Sequence, residues 1–160
     1  MPIAVGDRLP SVTFKRLAEN GMEEVTTSEI FDGKKVVMFA VPGAFTPTCS
    51  AKHLPGFVDH AADFKAKGVD DIVCIAVNDP FVMKTWGAQS GAKDAVTMLP
   101  DGNCEFTKAI DLVMDGTGAG LGERSQRYAM IVDDGVVKSL EVEEPGGFDV
   151  SSAEAVLKKL

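Results

Sequence analysis

The sequence predicts an α/β fold in which a central mixed β-sheet is flanked by helices and preceded by an N-terminal β-hairpin. Two continuously apolar runs, residues 36–41 and 71–77, lack the alternation of half-exposed strands and read as strands covered on both faces. Between them Leu54, Phe57, Val58, Ala61 and Phe64 recur at spacings of three and four, which is the stripe of an amphipathic helix and completes a βαβ unit. A later pair of apolar runs joined by Asp133-Asp134-Gly135 adds an antiparallel hairpin and makes the sheet mixed.

Taken in order, Ser11-Val12-Thr13-Phe14 and Glu24-Val25-Thr26 flank Glu19-Asn20-Gly21, so a hairpin through an Asn-Gly turn opens the chain at an edge. After the first central strand, the helix runs from Cys49 to Lys67 and stops at Gly68, with Pro55 predicting a kink about two turns beyond the cysteine. A second helix spans 80–90, opened by Pro80 after Asn78-Asp79, closed by Gly91, and burying Val82, Met83 and Trp86. Residues 96–99 read as a short strand, Asp101-Gly102-Asn103 as a turn and 104–112 as a helix. Strands 128–132 and 136–142 follow, and Ser151 with Glu154 forms a capping box for a last helix carrying Val156, Leu157 and Leu160. The layout is of thioredoxin type. With no repeat, linker or low-complexity tract, residues 1–160 read as a single domain.

The composition narrows the partners. Of 160 residues, 45% are hydrophobic, enough for a substantial core. The net charge of -8 argues against nucleic-acid backbones and anionic membrane surfaces. No run of 18 apolar residues appears and no secretory signal opens the chain, so a soluble, cytoplasmic protein is expected. Three cysteines separated by 25 and 30 residues make no disulfide framework, and neither a Cys-x-x-Cys pair nor a Cys/His cluster suggests a metal.

Chemistry concentrates in Pro42-Gly43-Ala44-Phe45-Thr46-Pro47-Thr48-Cys49. The thiol stands where a strand turns into a helix, among backbone N–H groups without intrahelical partners and at the positive end of the helix dipole, which favours thiolate. Two prolines and a glycine make a rigid presenting loop; the plainer reading of Cys49 is a small buried hydrophobe. Thr46, three residues earlier, can place its hydroxyl in the same pocket or serve as a turn or cap hydroxyl. Arg127, at the start of an apolar strand, can bring a guanidinium to the sulfur or make a surface ion pair, and Arg124 competes for the role. His53, one turn after Cys49, reads as a packing or orienting residue rather than a base, and His60 has no assigned role.

Pro42, Thr46 and Cys49 form a Pro-x-x-x-Thr-x-x-Cys pattern that resembles the signature of peroxiredoxins, with Arg127 matching that family's second arginine. The run through Pro47 to His53-Leu54-Pro55-Gly56, with Val77-Asn78-Asp79-Pro80-Phe81 and Trp86, is similar to the Prx5 or type II subfamily across essentially the whole chain. The resemblance implies a thioredoxin-like fold and a cofactor-free peroxidase in which Cys49 attacks hydrogen peroxide or alkyl hydroperoxides. Thr46, Arg127 and the Cys49 N–H would hold the peroxide, and Pro42 would roof the pocket. It further implies antioxidant, redox-homeostasis and peroxide-signalling roles, and a homodimer with Phe45, Phe81 and the glycine-rich loop 115–122 near the contact.

The reductive half is less defined. The stretch Val150-Ser151-Ser152 holds no C-terminal resolving cysteine. Cys74, in mid-strand, is the internal candidate for a resolving thiol, though a packed thiol is preferred because bridging needs Cα atoms within about 7 Å. Cys104, at another helix start, is an extra thiol that such a position could slightly activate, and it is read as incidental to turnover. Glutathione with glutaredoxin, or thioredoxin, remains as reductant. The glycine-rich loop lacks a phosphate-binding lysine and reads as a flexible connection to Arg124 and Arg127. The competing functions are a disulfide reductase, disfavoured by the missing second cysteine, and a non-enzymatic redox sensor.

Overall fold

The computed structural model describes residues 1–160. Strands β1 (Thr13–Ala18) and β2 (Gly21–Thr26) form a separate two-stranded sheet. Their turn is Glu19-Asn20, one residue earlier than the Asn-Gly expectation, with Gly21 at φ +120° already paired to Ala18. Helix α1 (Thr27–Phe31), absent from the sequence reading, follows at once. A capping box makes it: Thr26 Oγ1 accepts from the Glu29 N–H, and the Glu29 carboxylate accepts from the Thr26 N–H.

Next come β3 (Lys35–Val41), a π-helical turn at Cys49–His53, α2 (Leu54–Asp59), α3 (Ala61–Ala66), β4 (Asp71–Ala76), α4 (Pro80–Gln89), β5 (Thr97–Pro100) and α5 (Glu105–Ala109). The chain ends through β6 (Val113–Asp115), β7 (Glu123–Ser125), β8 (Tyr128–Asp133), β9 (Val136–Val142) and α6 (Ala153–Leu157). The central sheet has the order β5-β4-β3-β8-β9; β3, β4 and β5 are parallel, and β8 runs antiparallel to both β3 and β9. The mixed sheet is as expected. Asp134 at φ +50° and Gly135 at φ +79° supply the paired left-handed residues of the β8–β9 turn.

The period of two along β3 decides the core. Val37, Phe39 and Val41 pack with Phe57, Phe64 and Trp86 under α2, α3, α4 and α6. Val36, Met38 and Ala40 pack with Phe14, Phe31 and Phe106 under the hairpin, α1 and α5. Each large side chain fully buried this way contributes about 1.5–3 kcal/mol. Phe39 and Phe57 stack at 4.1 Å, which ties β3 to the first turn of α2. No helix is long and apolar enough to cross a membrane.

Several boundaries differ from expectation. The continuous helix 49–67 is divided: a π-helical turn precedes Pro55, and the break falls at His60 rather than at the proline. Pro55 cannot donate and would crowd the carbonyl four residues back; the wider turn, with the Leu54 N–H on the Cys49 carbonyl, moves that carbonyl away, and Pro55 then sits in the first turn of α2. The helix expected at 104–112 is only α5, bounded by Cys104 at φ +61° and Asp111 at φ +59°. The C-terminal cap is Ser152, which accepts from the Ala155 N–H, because Ser151 is drawn away by Glu143. The glycine-rich stretch folds as a 3-10 turn, Thr117–Ala119, between the paired strands β6 and β7.

Candidate active site

The loop between β3 and the π-helical turn is pinned from several sides. The Ala44 N–H donates to Asn78 Oδ1 at 2.9 Å, and Trp86 Nε1 donates to Ser50 Oγ at 3.0 Å. Arg124 donates to the Pro42 carbonyl at 3.4 Å and to the Leu121 carbonyl at 3.0 Å. It therefore braces the loop and leaves the sulfur to Arg127. A Cβ at Gly43 would lie 2.8 Å from Arg124 Nη1, so a larger residue there would displace the guanidinium from the loop it braces. Phe45 takes φ +63°, an unusual conformation for a bulky residue, and is 49% exposed. Thr46 Oγ1 donates to the Gly43 carbonyl at 2.7 Å, so only its lone pairs remain for a ligand.

Pro47 and Thr48 are already helical, and Cys49 is fully buried. Its backbone N–H reaches no carbonyl. Arg127, the residue before β8, donates through Nη2 to Cys49 Sγ at 3.0 Å and through Nη1 to His53 Nδ1 at 2.7 Å. The opposite ring nitrogen, Nε2, lies 2.9 Å from the Ser151 carbonyl, which can only accept. His53 is thus the neutral Nε2–H tautomer with its Nδ1 lone pair on the guanidinium. Burial first, and then the Arg127 charge, lower its pKa from 6.5 to about 3. Phe39, Phe57 and Phe148 surround the ring at centroid distances of 4.8, 5.7 and 5.0 Å. His53, read from the sequence as a packing or orienting residue, packs among these rings and bonds Arg127.

Pro42, Thr48 and Arg127 border a cavity of about 370 Å³ that continues past Met114, Gln126 and Pro145. Cys74 is fully buried on β4 beside Phe39, and burial, then the neighbouring Cys49, push its thiol well up. Cys104 is also buried; burial, Asp101 and Glu123 raise it, which corrects the expectation of an activated thiol. His60 bonds Asp63 and Glu154, away from the site. Sequence reasoning missed Glu143, Phe148 and Ser151. Glu143 collects the Asp149 and Ser151 N–H groups, and Phe148 lies 5.9 Å from the Arg127 guanidinium.

The chain as a whole is similar to known proteins. The Redoxin family profile matches residues 4–157. Peroxiredoxin-2E-2, chloroplastic, of Oryza sativa is 53% identical over 99% of this chain and 72% of its own length. Peroxiredoxin-2B of Arabidopsis thaliana is 48% identical over 99% of both chains. Among solved structures, reduced Prx3 of Vibrio vulnificus in complex with hydrogen peroxide superposes with a TM-score of 0.94 at 54% identity, covering 98% of each chain. The fold is thioredoxin-like. The chain belongs to the redoxin family and within it to the peroxiredoxins of the Prx5 or type II subfamily, thiol peroxidases that act through a peroxidatic cysteine.

Proposed function

We propose that residues 1–160 act as one peroxidase domain in which Cys49 reduces hydrogen peroxide and alkyl hydroperoxides. The thiolate electron pair forms an S–O bond to the terminal peroxide oxygen as the O–O bond breaks. The departing oxygen takes a proton and leaves as water or alcohol, and the sulfur is left as sulfenic acid. The observation that carries this reading is the forked Arg127, with Nη2 at 3.0 Å from Sγ and Nη1 anchored on His53. A cation so placed favours both the attacking thiolate and the charge that develops on the leaving oxygen. The unpartnered Cys49 N–H donates to the peroxide, and Thr46, its own hydrogen committed to Gly43, accepts from it. Pro42 bounds the approach through the adjoining cavity.

The sulfenic acid is recycled by an external thiol. Attack on its sulfur expels water and leaves a mixed disulfide, which a second thiol reduces; glutathione with glutaredoxin, or thioredoxin, has this chemistry. Full burial of Cys74 in mid-strand supports an external route, since Cys74 reaches Cys49 only after local unfolding. Three unpaired cysteines suit a reducing compartment such as the cytoplasm. Phe45 and Phe81, 49% and 60% exposed on the loop and on α4, support a homodimer contact there. Turnover measured separately with each reductant system identifies the electron donor. The reading expects unchanged turnover in Cys74→Ser and Cys104→Ser, and a large loss in Cys74→Ser would make Cys74 the resolving thiol.

A further inference from the structure

A closed ring of contacts begins and ends on Arg127. The Glu143 N–H donates to the Arg127 carbonyl at 2.9 Å, carrying the β8–β9 pairing one step past Tyr128 and Val142. The Glu143 carboxylate accepts at a single oxygen, Oε2, from the Asp149 N–H at 2.6 Å, the Ser151 N–H at 2.9 Å and the Ser151 hydroxyl at 2.7 Å. That clasp folds the segment after β9 back over the site and aims the Ser151 carbonyl at His53 Nε2. His53 Nδ1 then receives Arg127 Nη1, and the ring is closed. Phe148, inside the same folded segment, packs against both His53 and Arg127.

We propose that Glu143 is a positioning residue for peroxide reduction: through Ser151 it selects the His53 tautomer, and through His53 it fixes which guanidinium nitrogen meets Cys49. A neutral imidazole has two tautomers, and only the Nε2–H form offers Nδ1 as an acceptor to Arg127. The other form would set an N–H against the guanidinium and turn the fork from the sulfur. What chooses between them is the Ser151 carbonyl, and what holds that carbonyl is one carboxylate oxygen. Its three donors need an acceptor at that point, and a carboxylate meets all three best, because two of them are backbone N–H groups with no other acceptor. The proposal rests on Cys49 as the reacting sulfur.

Two measurements test it. Stopped-flow oxidation of the reduced protein by hydrogen peroxide is expected to slow about 10- to 100-fold in Glu143→Ala, while Glu143→Gln, which keeps an acceptor oxygen, recovers part of the loss. In a His53→Gln background the same alanine substitution is expected to add nothing, since the relay is already cut. The ¹⁵N signals of the His53 ring should report a protonated Nε2 in the wild type and a mixture of tautomers in Glu143→Ala. Should the alanine variant not fold, Glu143→Asp, too short to reach all three donors, is expected to move both readouts in the same direction. An unchanged rate, an equal loss with and without His53, or an unchanged tautomer in the folded variants would overturn the positioning role. Wild-type oxidation no faster than free cysteine would instead remove Cys49 as the reacting sulfur and leave the tautomer result standing.

Discussion

Acid is expected to destabilise this protein through His53. In the unfolded chain the ring takes up a proton near its ordinary 6.5, whereas the folded site, buried and facing Arg127, resists until about 3. Between those values the unfolded state holds a proton that the folded state does not, so stability is fully present above 6.5 and falls as the pH falls. Each unit corresponds to about 1.4 kcal/mol, which gives a deficit of about 2 kcal/mol at about pH 5 and about 4–5 kcal/mol at the lower end. His53→Gln removes the titration and keeps a polar side chain. Burial pushes the Glu143 carboxyl up, but its Ser151 and Asp149 donors outweigh this and hold it below 4.5, so its own acid loss begins below the range from about pH 7.5 to about pH 5 in which His53 is tested. Urea unfolding from about pH 7.5 down to about pH 5 is expected to show the wild type losing about 2 kcal/mol relative to His53→Gln. Parallel pH curves for the two proteins would refute a neutral, buried His53.

Removing the guanidinium in Arg127→Gln is expected to slow oxidation of Cys49 by about 10²–10³-fold in stopped flow, the usual cost of a lost transition-state donor. Arg127→Lys, which keeps the charge but cannot bridge Sγ and Nδ1 together, should fall between. Tyr128 carries a fully buried hydroxyl with no partner, so Tyr128→Phe is expected to raise the unfolding free energy by about 1 kcal/mol in urea. A loss of that size would reveal a partner for the hydroxyl. His60 behaves oppositely to His53: Asp63, and then Glu154, raise it above 6.5, so its contribution is present below 6.5 and disappears as the pH rises. His60→Gln should flatten the dependence of Tm on pH between about 6 and 8, and an unchanged slope would contradict the pairing.

The sheet was legible because its signals are local. Continuous apolar runs marked β3 and β4, and Asp134-Gly135 marked the β8–β9 turn. Cys49, Thr46 and Pro42 share one eight-residue loop, and Arg127 stood out as a cation entering an apolar strand. α1 was missed although Thr26 and Glu29 carry the capping-box spacing, because its five residues are too few for a helical period to emerge. The ring through Glu143 was hidden for a different reason. A straight count from the β8–β9 turn sets Val142 opposite Arg127; the bulge between Ile131 and Val132 shifts the register by one and brings Glu143 there instead. The contact of Ser151 with His53 spans 98 residues, and no local pattern carries it. Glu143 likewise displaced the expected cap from Ser151 to Ser152, a tertiary contact overriding a sound local signal.

The central claim is that a buried Cys49, held by Arg127, is the sulfur that reduces peroxide. Rapid mixing of the fully reduced protein with one equivalent of hydrogen peroxide, followed by a sulfenic-acid trap and peptide mass analysis, tests it most directly. The account predicts oxidation far faster than that of free cysteine, with the trapped adduct on Cys49 and none formed in Cys49→Ser. Oxidation at the rate of free cysteine, or an adduct on Cys74 or Cys104 while Cys49 stays reduced, would contradict it.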